Sequence, residues 1–190
     1  MLINLLWTGR EYYSLEHCQL ASTGTGSRIT SVIIGTYAQR IYRVEYVIET
    51  NPDWVTLRCD ITAQLDHSRK VLRFRSDGHG NWWLNDKPAE QFRGCTDVDI
   101  PLTPFTNTLP INRLKLAEQE SQQIQVLYVD LLADDIKSVR QNYTRLSNTG
   151  YKYENVPNDF EAVITVDPLG LVVDYPELFF RTASQNNSDY

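Results

Sequence analysis

The sequence has no apolar run of about 18 residues, the length a membrane-spanning helix requires, so no such helix is expected. Cysteine is scarce. Cys18, Cys59 and Cys95 are widely spaced and form no CxxC pair, which argues against a disulfide framework and for a reducing compartment, with the thiols as small buried hydrophobes. Histidine is scarcer in pattern than in number: His17, His67 and His79 are scattered, with no HxH, HExxH or Cys/His spacing, so no metal is expected. The glycines around Thr25-Gly26-Ser27 lack the lysine of a phosphate-binding loop, and no GxSxG nucleophile elbow is present. No other cofactor motif appears, and none is expected. Cations are in deficit, 18 Lys and Arg against 24 Asp and Glu for a net charge of −6, which argues against a nucleic-acid partner held through phosphates. The opening Met1–Arg10 has no basic start and its apolar stretch is broken by Asn4; it reads as no signal peptide, and a cytoplasmic location is expected. Long amphipathic helices are missing too, and with them any βαβ series.

What is present is alternation. In Arg40–Thr50 one face carries Tyr42, Val44, Tyr46 and Ile48, and the other Arg43, Glu45 and Glu49. In Val55–Ala63 one face carries Val55, Leu57, Cys59, Ile61 and Ala63. Period two marks strands with one dry side. Shorter runs of this kind are Lys70–Ser76, Ile124–Asp130 and Phe160–Val166, and Arg28–Tyr37 and Ile136–Leu146 are also strand-like. Asn51-Pro52-Asp53, Asp77-Gly78-His79-Gly80, Asn148-Thr149-Gly150, Pro157-Asn158-Asp159 and Asp167-Pro168-Leu169-Gly170 supply turns between them. One short helix is expected near Thr106–Glu118. The fold class is mainly β, an antiparallel barrel-like or wrapped sheet with little helix. The 190 residues suggest one domain over 1–182 and a frayed polar tail over 183–190. Asp77-Gly78-His79-Gly80-Asn81-Trp82-Trp83 resembles Asp167-Pro168-Leu169-Gly170-Leu171-Val172-Val173, which suggests two pseudo-symmetric halves, 10–93 and 94–182; chance likeness among hairpins is the alternative.

The segment 94–114 is unlike the rest. Pro101, Pro104 and Pro110 forbid regular ladder pairing, and Thr103, Thr106, Asn107 and Thr108 crowd between them, with Asp97 and Asp99 just before. Such a stretch either carries binding groups or is a crossover whose side chains satisfy their own backbone. The run Gly94-Cys95-Thr96-Asp97-Val98-Asp99 followed by Thr103-Pro104-Phe105-Thr106-Asn107-Thr108-Leu109-Pro110 resembles the signature of the putative glycolipid-binding family of bacterial proteins. Asp77–Trp82, Gln141-Asn142-Tyr143-Thr144-Arg145 and Asp167–Pro176 are similar to further motifs of that family, in the same order along nearly the whole chain. The resemblance implies a β-rich, barrel-like fold similar to bacterial lipoprotein carriers, and a lipid or glycolipid ligand inferred in that family from shape.

A carrier of this kind needs a dry cavity, for which Tyr42, Tyr46, Trp54, Phe74, Trp82, Trp83, Tyr128 and Tyr143 are candidate linings; ordinary core is the alternative role of each. For a sugar headgroup the candidates are Trp82, Asp97, Asp99 and Asn107, and for an acidic headgroup Arg113 and Arg145; Trp83, Thr103, Thr106 and Tyr143 are further ligand-binding candidates. The expected function is a binding protein for a hydrophobic ligand or glycolipid, held in a barrel-like cavity with a polar rim. Two alternatives stay open: a small hydrolase using Asp97 or Asp99, with help from a carboxylate elsewhere such as Glu16 or Asp174, and a protein-interaction module with an exposed apolar sheet face. No motif fixes the ligand's identity or the oligomeric state.

Overall fold

Period-two runs become strands, and each reverses where a turn residue permits. In a computed structural model that describes residues 1–187, the first half of the chain forms β1 (Leu2–Gly9), β2 (Ser14–Thr23), β3 (Gly26–Tyr37), β4 (Arg40–Thr50), β5 (Thr56–Leu65), β6 (Ser68–Ser76), β7 (Trp82–Leu84) and β8 (Lys87–Pro88). The second half forms β9 (Asp97–Asp99), α1 (Thr108–Leu114), β10 (Ser121–Asp130), β11 (Asp135–Arg145), β12 (Gly150–Val156), β13 (Glu161–Val166), β14 (Val172–Tyr175) and β15 (Phe179–Asn187). Strand accounts for 61% of the chain, and the mainly β expectation is met. No helix among the described residues is long and apolar enough to cross a membrane.

All the strands join one sheet, in the order β8-β7-β6-β5-β4-β3-β2-β1-β15-β14-β13-β12-β11-β10-β9. This is chain order read around a circle, with β1 and β15 paired in the middle and the circle cut between β8 and β9. Every described pairing except parallel β9–β10 is antiparallel. The cut edges approach each other. The Gly94 amide donates to the Gly80 carbonyl at 2.9 Å, the Trp82 indole Nε1 donates to the Cys95 carbonyl at 2.9 Å, and Lys70 on β6 pairs with Asp134 beyond β10. Both glycines have left-handed backbones, and a Cβ on Gly80 would sit 3.1 Å from the Gly94 Cα. The seam depends on their lack of side chains.

A parallel neighbour needs a crossover. Here residues 100–120 supply it, and the proline-rich part runs through the hollow of the curled sheet instead of along its rim. Residues 102–111 are all buried. Leu102, Phe105 and Leu109 join the inward faces of β1–β6 in one apolar cluster, while Ile111 joins those of β10–β15 in a second. Each such side chain contributes about 1.5–3 kcal/mol on burial, which offsets the cost of threading polar backbone inside. The expected helix is present but short. A turn of 3-10 helix at Phe105–Asn107 leads into α1, Pro110 falls in its first turn where an N–H would be unused, and Lys115 ends it at φ 50°.

Two local readings are corrected. On β5, Thr56 faces inward and Leu57 outward, because Thr50 pairs with Thr56 while Glu49 pairs with Arg58. Leu57 is the extra residue of a bulge, so the alternation seen from Cys59 to Ala63 does not extend back to Val55. The polar end of the chain is not frayed from residue 183. Ala183–Asn187 pair with β1, from Leu6↔Ala183 to Leu2↔Asn187, since ladder bonds satisfy the backbone of β1 without any apolar side chain on the partner. The rest of that expected tail, 188–190, lies outside the described residues.

The two similar segments form the same turn. The Asp77 Oδ1 accepts the amides of His79 and Asn81 at 2.8 and 3.2 Å, and the Asp167 Oδ1 accepts those of Leu169 and Leu171 at 2.9 and 3.1 Å. The fourth residues, Gly80 and Gly170, are left-handed. Asn51 closes residues 51–55 in the same way, accepting from Asp53 and Val55 at 3.0 Å, with Trp54 left-handed. The same turn geometry therefore recurs outside the paired positions.

Candidate functional site

A cavity of about 430 Å³ lies between the crossover segment and the wall made by β10–β12, β14 and β15. The inward row of β11 descends into it: Lys137 is exposed, Val139 half-buried and Gln141 buried, with Tyr143 behind. β12 contributes Tyr153, β10 Tyr128, β14 Tyr175 and β15 Phe179, and the β1–β2 hairpin folds Tyr12 over one side. Asp99, at the end of β9, and Thr103 and Asn107, in the crossover, complete the inner part. Glu11, Arg140, Pro157, Asp159 and Phe160 stand at the mouth, all exposed.

The wall is a relay of rings. Tyr143 and Tyr153 are 5.5 Å apart, Tyr153 and Tyr175 6.3 Å, Tyr175 and Phe179 6.3 Å, and Phe179 and Tyr12 6.1 Å. Burial pushes the phenols of Tyr12, Tyr128, Tyr153 and Tyr175 above their ordinary range, so all four keep their protons at neutral pH. The inner end is polar. The Asp99 carboxylate accepts from Gln141 Nε2 at 2.7 Å and from Thr106 Oγ1 at 3.1 Å. Burial pushes its carboxyl up, against the lowering effect of those two donors. Tyr143 donates to Asn107 Oδ1 at 2.8 Å and fixes that amide. Thr103 donates to Glu16 at 2.9 Å and accepts from the Phe105 amide.

Of the residues singled out in the sequence, Asp99, Thr103, Asn107 and Tyr128 line the cavity, and Thr106 and Tyr143 support it from behind. The others lie elsewhere. Asp97 is 1% exposed and held by Arg113 through Nε–Oδ1 at 3.1 Å and Nη2–Oδ2 at 2.6 Å, with Thr96 donating at 2.9 Å. This bidentate pair leaves Asp97 and Asp99 in separate environments. Trp82 is buried at the seam, and Trp83 is half-buried beside a separate depression of about 230 Å³. Arg145 donates to the Leu116 and Ser147 carbonyls and to Asn148, tying down the chain after α1. Tyr42, Tyr46 and Phe74 are packed core.

Gln141, Tyr175 and Tyr12 were missed as site residues. Gln141 stood in a quoted motif, but nothing in sequence told its inward direction; Tyr12 and Tyr175 sit at hairpins where alternation gives no face. Among the described residues no group of three or more His, Cys, Asp and Glu is placed to hold a metal ion.

Residues 4–181 match the model of the family described as "Putative glycolipid-binding". The crystal structure of a DUF1089 family protein from Pseudomonas aeruginosa is similar at 34% identity, covering 87% of this chain and 91% of that one, with a TM-score of 0.80. A protein described as β-barrel-like, of domain of unknown function DUF1849 from Brucella abortus, shares the fold at 9% identity and a TM-score of 0.57, over 99% of this chain and 98% of that one. No curated protein matches the chain.

Proposed function

Because the chain belongs to the putative glycolipid-binding family, we propose that it is a binding protein for an amphiphilic ligand of the glycolipid class, and that the 430 Å³ cavity is where the ligand sits. One observation carries the reading: a ring-lined opening of ligand size ends on an oriented polar group formed by half-buried Asp99 and buried Gln141 and Asn107. Apolar walls with a few fixed polar groups are the usual make-up of small-molecule sites. The cavity differs in one respect from the sequence-based expectation of an oily interior with a polar rim. Its polar groups lie at the inner end, where Asp99 of β9 and Gln141 of β11 meet Thr103 and Asn107 of the crossover that fills the hollow.

The hydrolase reading loses Asp97, which is neutralised by Arg113 away from the cavity, and keeps only Asp99 of its two aspartates there. Binding is tested by native mass spectrometry of freshly purified protein. A co-purified amphiphile is expected, and Tyr175→Ala, which opens the wall, should lose it. Protein that carries no amphiphile and takes up none from an added lipid extract would refute the proposal.

A further inference from the structure

The cavity's polarity has a direction, and we infer from it that the ligand enters headgroup first: the site takes an uncharged, hydroxyl-rich sugar and leaves the acyl chain outside. This inference rests on the binding reading above and adds the class of group bound and its orientation.

Tyr12, Tyr128 and Tyr175 line the cavity, and none of their hydroxyls makes a hydrogen bond to a protein group among the described residues. Three other inward tyrosines are satisfied by protein: Tyr42 donates to the Tyr12 carbonyl, Tyr46 to Glu16 and Tyr143 to Asn107. Tyr151, buried away from this cavity, makes no side-chain hydrogen bond among the described residues. The phenols of Tyr12, Tyr128 and Tyr175 are available to a ligand in the cavity. Asp99 accepts one bond at each oxygen, from Thr106 and Gln141, and has lone pairs to spare. An acyl chain in this space would strip water from a carboxylate and several phenols and return no hydrogen bonds. A sugar returns them: its hydroxyls donate to Asp99 and accept from the phenols, while its C–H faces lie on the rings of Tyr153 and Tyr175. A phosphate or sulfate headgroup would meet the Asp99 carboxylate at the inner end, which favours an uncharged sugar. At the mouth Phe160 is 39% exposed, and Tyr37, its ring 5.7 Å from that of Tyr12, is 41% exposed. These rings give the emerging chain an apolar surface where the cavity ends.

The test uses saturation-transfer NMR on the full chain with octyl β-glucoside and octyl β-galactoside below their micellar concentrations, and laurate as the headless control. Saturation is expected to concentrate on sugar protons for at least one glycoside, and its methyl glycoside should compete while laurate does not. Tyr175→Phe, which removes one hydroxyl and keeps the ring, should weaken glycoside binding about tenfold, the worth of one hydrogen bond, with unchanged thermal unfolding. Asp99→Asn gives a second reading should Tyr175→Phe unfold the chain, and should weaken glycosides while leaving any laurate contact unchanged. Laurate displacing the glycosides, or saturation confined to octyl protons, overturns the orientation and leaves the binding reading standing. Failure of both glycosides and laurate to bind removes the inference together with the reading beneath it.

Discussion

Glu16 is the most burdened side chain in the interior. It is 2% exposed, accepts from Ser31, Tyr46 and Thr103 all at Oε1, and has no partner at Oε2. Burial pushes its carboxyl up from 4.5 to about 7, against the lowering effect of the three hydroxyls. A raised carboxyl means that the folded chain holds a proton the unfolded chain releases first. Its contribution is therefore fully present below pH 4.5 and is lost as pH rises through about 7. The loss amounts to roughly 3 kcal/mol. Glu16→Gln cannot ionise, so urea unfolding between pH 5 and pH 8 should show a flatter profile than the parent and a higher stability at pH 8; parallel profiles would contradict this assignment. Asp97 works in the opposite sense, as half of a buried ion pair. Asp97→Ala leaves the Arg113 guanidinium, only 15% exposed, without its partner and should cost about 3–5 kcal/mol by the same measurement. Replacing both residues by apolar ones should recover much of that loss.

At the scale of elements, β4 shows how much can be read from a pattern. Tyr42, Val44, Tyr46 and Ile48 alternate in sequence and are all buried. β5 shows where reading stops: Leu57 continues the alternation on paper, but a bulge, fixed by pairing with β4, turns it outward. The crossover is harder still. Thr103, Thr106 and Asn107 have the composition of a surface loop, and what makes them interior residues are partners far along the chain, such as Glu16 for Thr103 and Tyr143 for Asn107. Polarity in a sequence marks hydrogen-bonding capacity, and only the fold decides whether water or protein satisfies it. The same limit explains the site. Asp99 and Asn107 were legible through their motif, whereas Tyr12 and Tyr175 depended on how hairpins fold over the opening. The seam between Gly80 and Gly94 gives this scale its own prediction. Gly80→Val places a branched side chain at φ 86° against the Gly94 backbone and should destabilise by about 2 kcal/mol or more, with faster amide exchange at Gly94.

For the whole molecule, chain order written around a circle makes every consecutive hairpin local, and the long crossover supplies what fills the circle. The β1–β2, β3–β4, β12–β13 and β14–β15 hairpins all turn at one end, and the cavity opens there. The filled interior accounts for a cavity that is small and polar at depth, since Leu102, Phe105 and Leu109 occupy space that an oily carrier would leave open. The most direct test of the whole account maps amide and tyrosine-ring chemical shifts while octyl β-glucoside is titrated into isotopically labelled protein. The predicted changes fall on Asp99, Asn107, Gln141, Tyr153 and Tyr175 and leave Trp83 and Arg145 unmoved. Saturable changes centred on Trp82, Trp83 or Arg145, with the cavity residues silent, would contradict it.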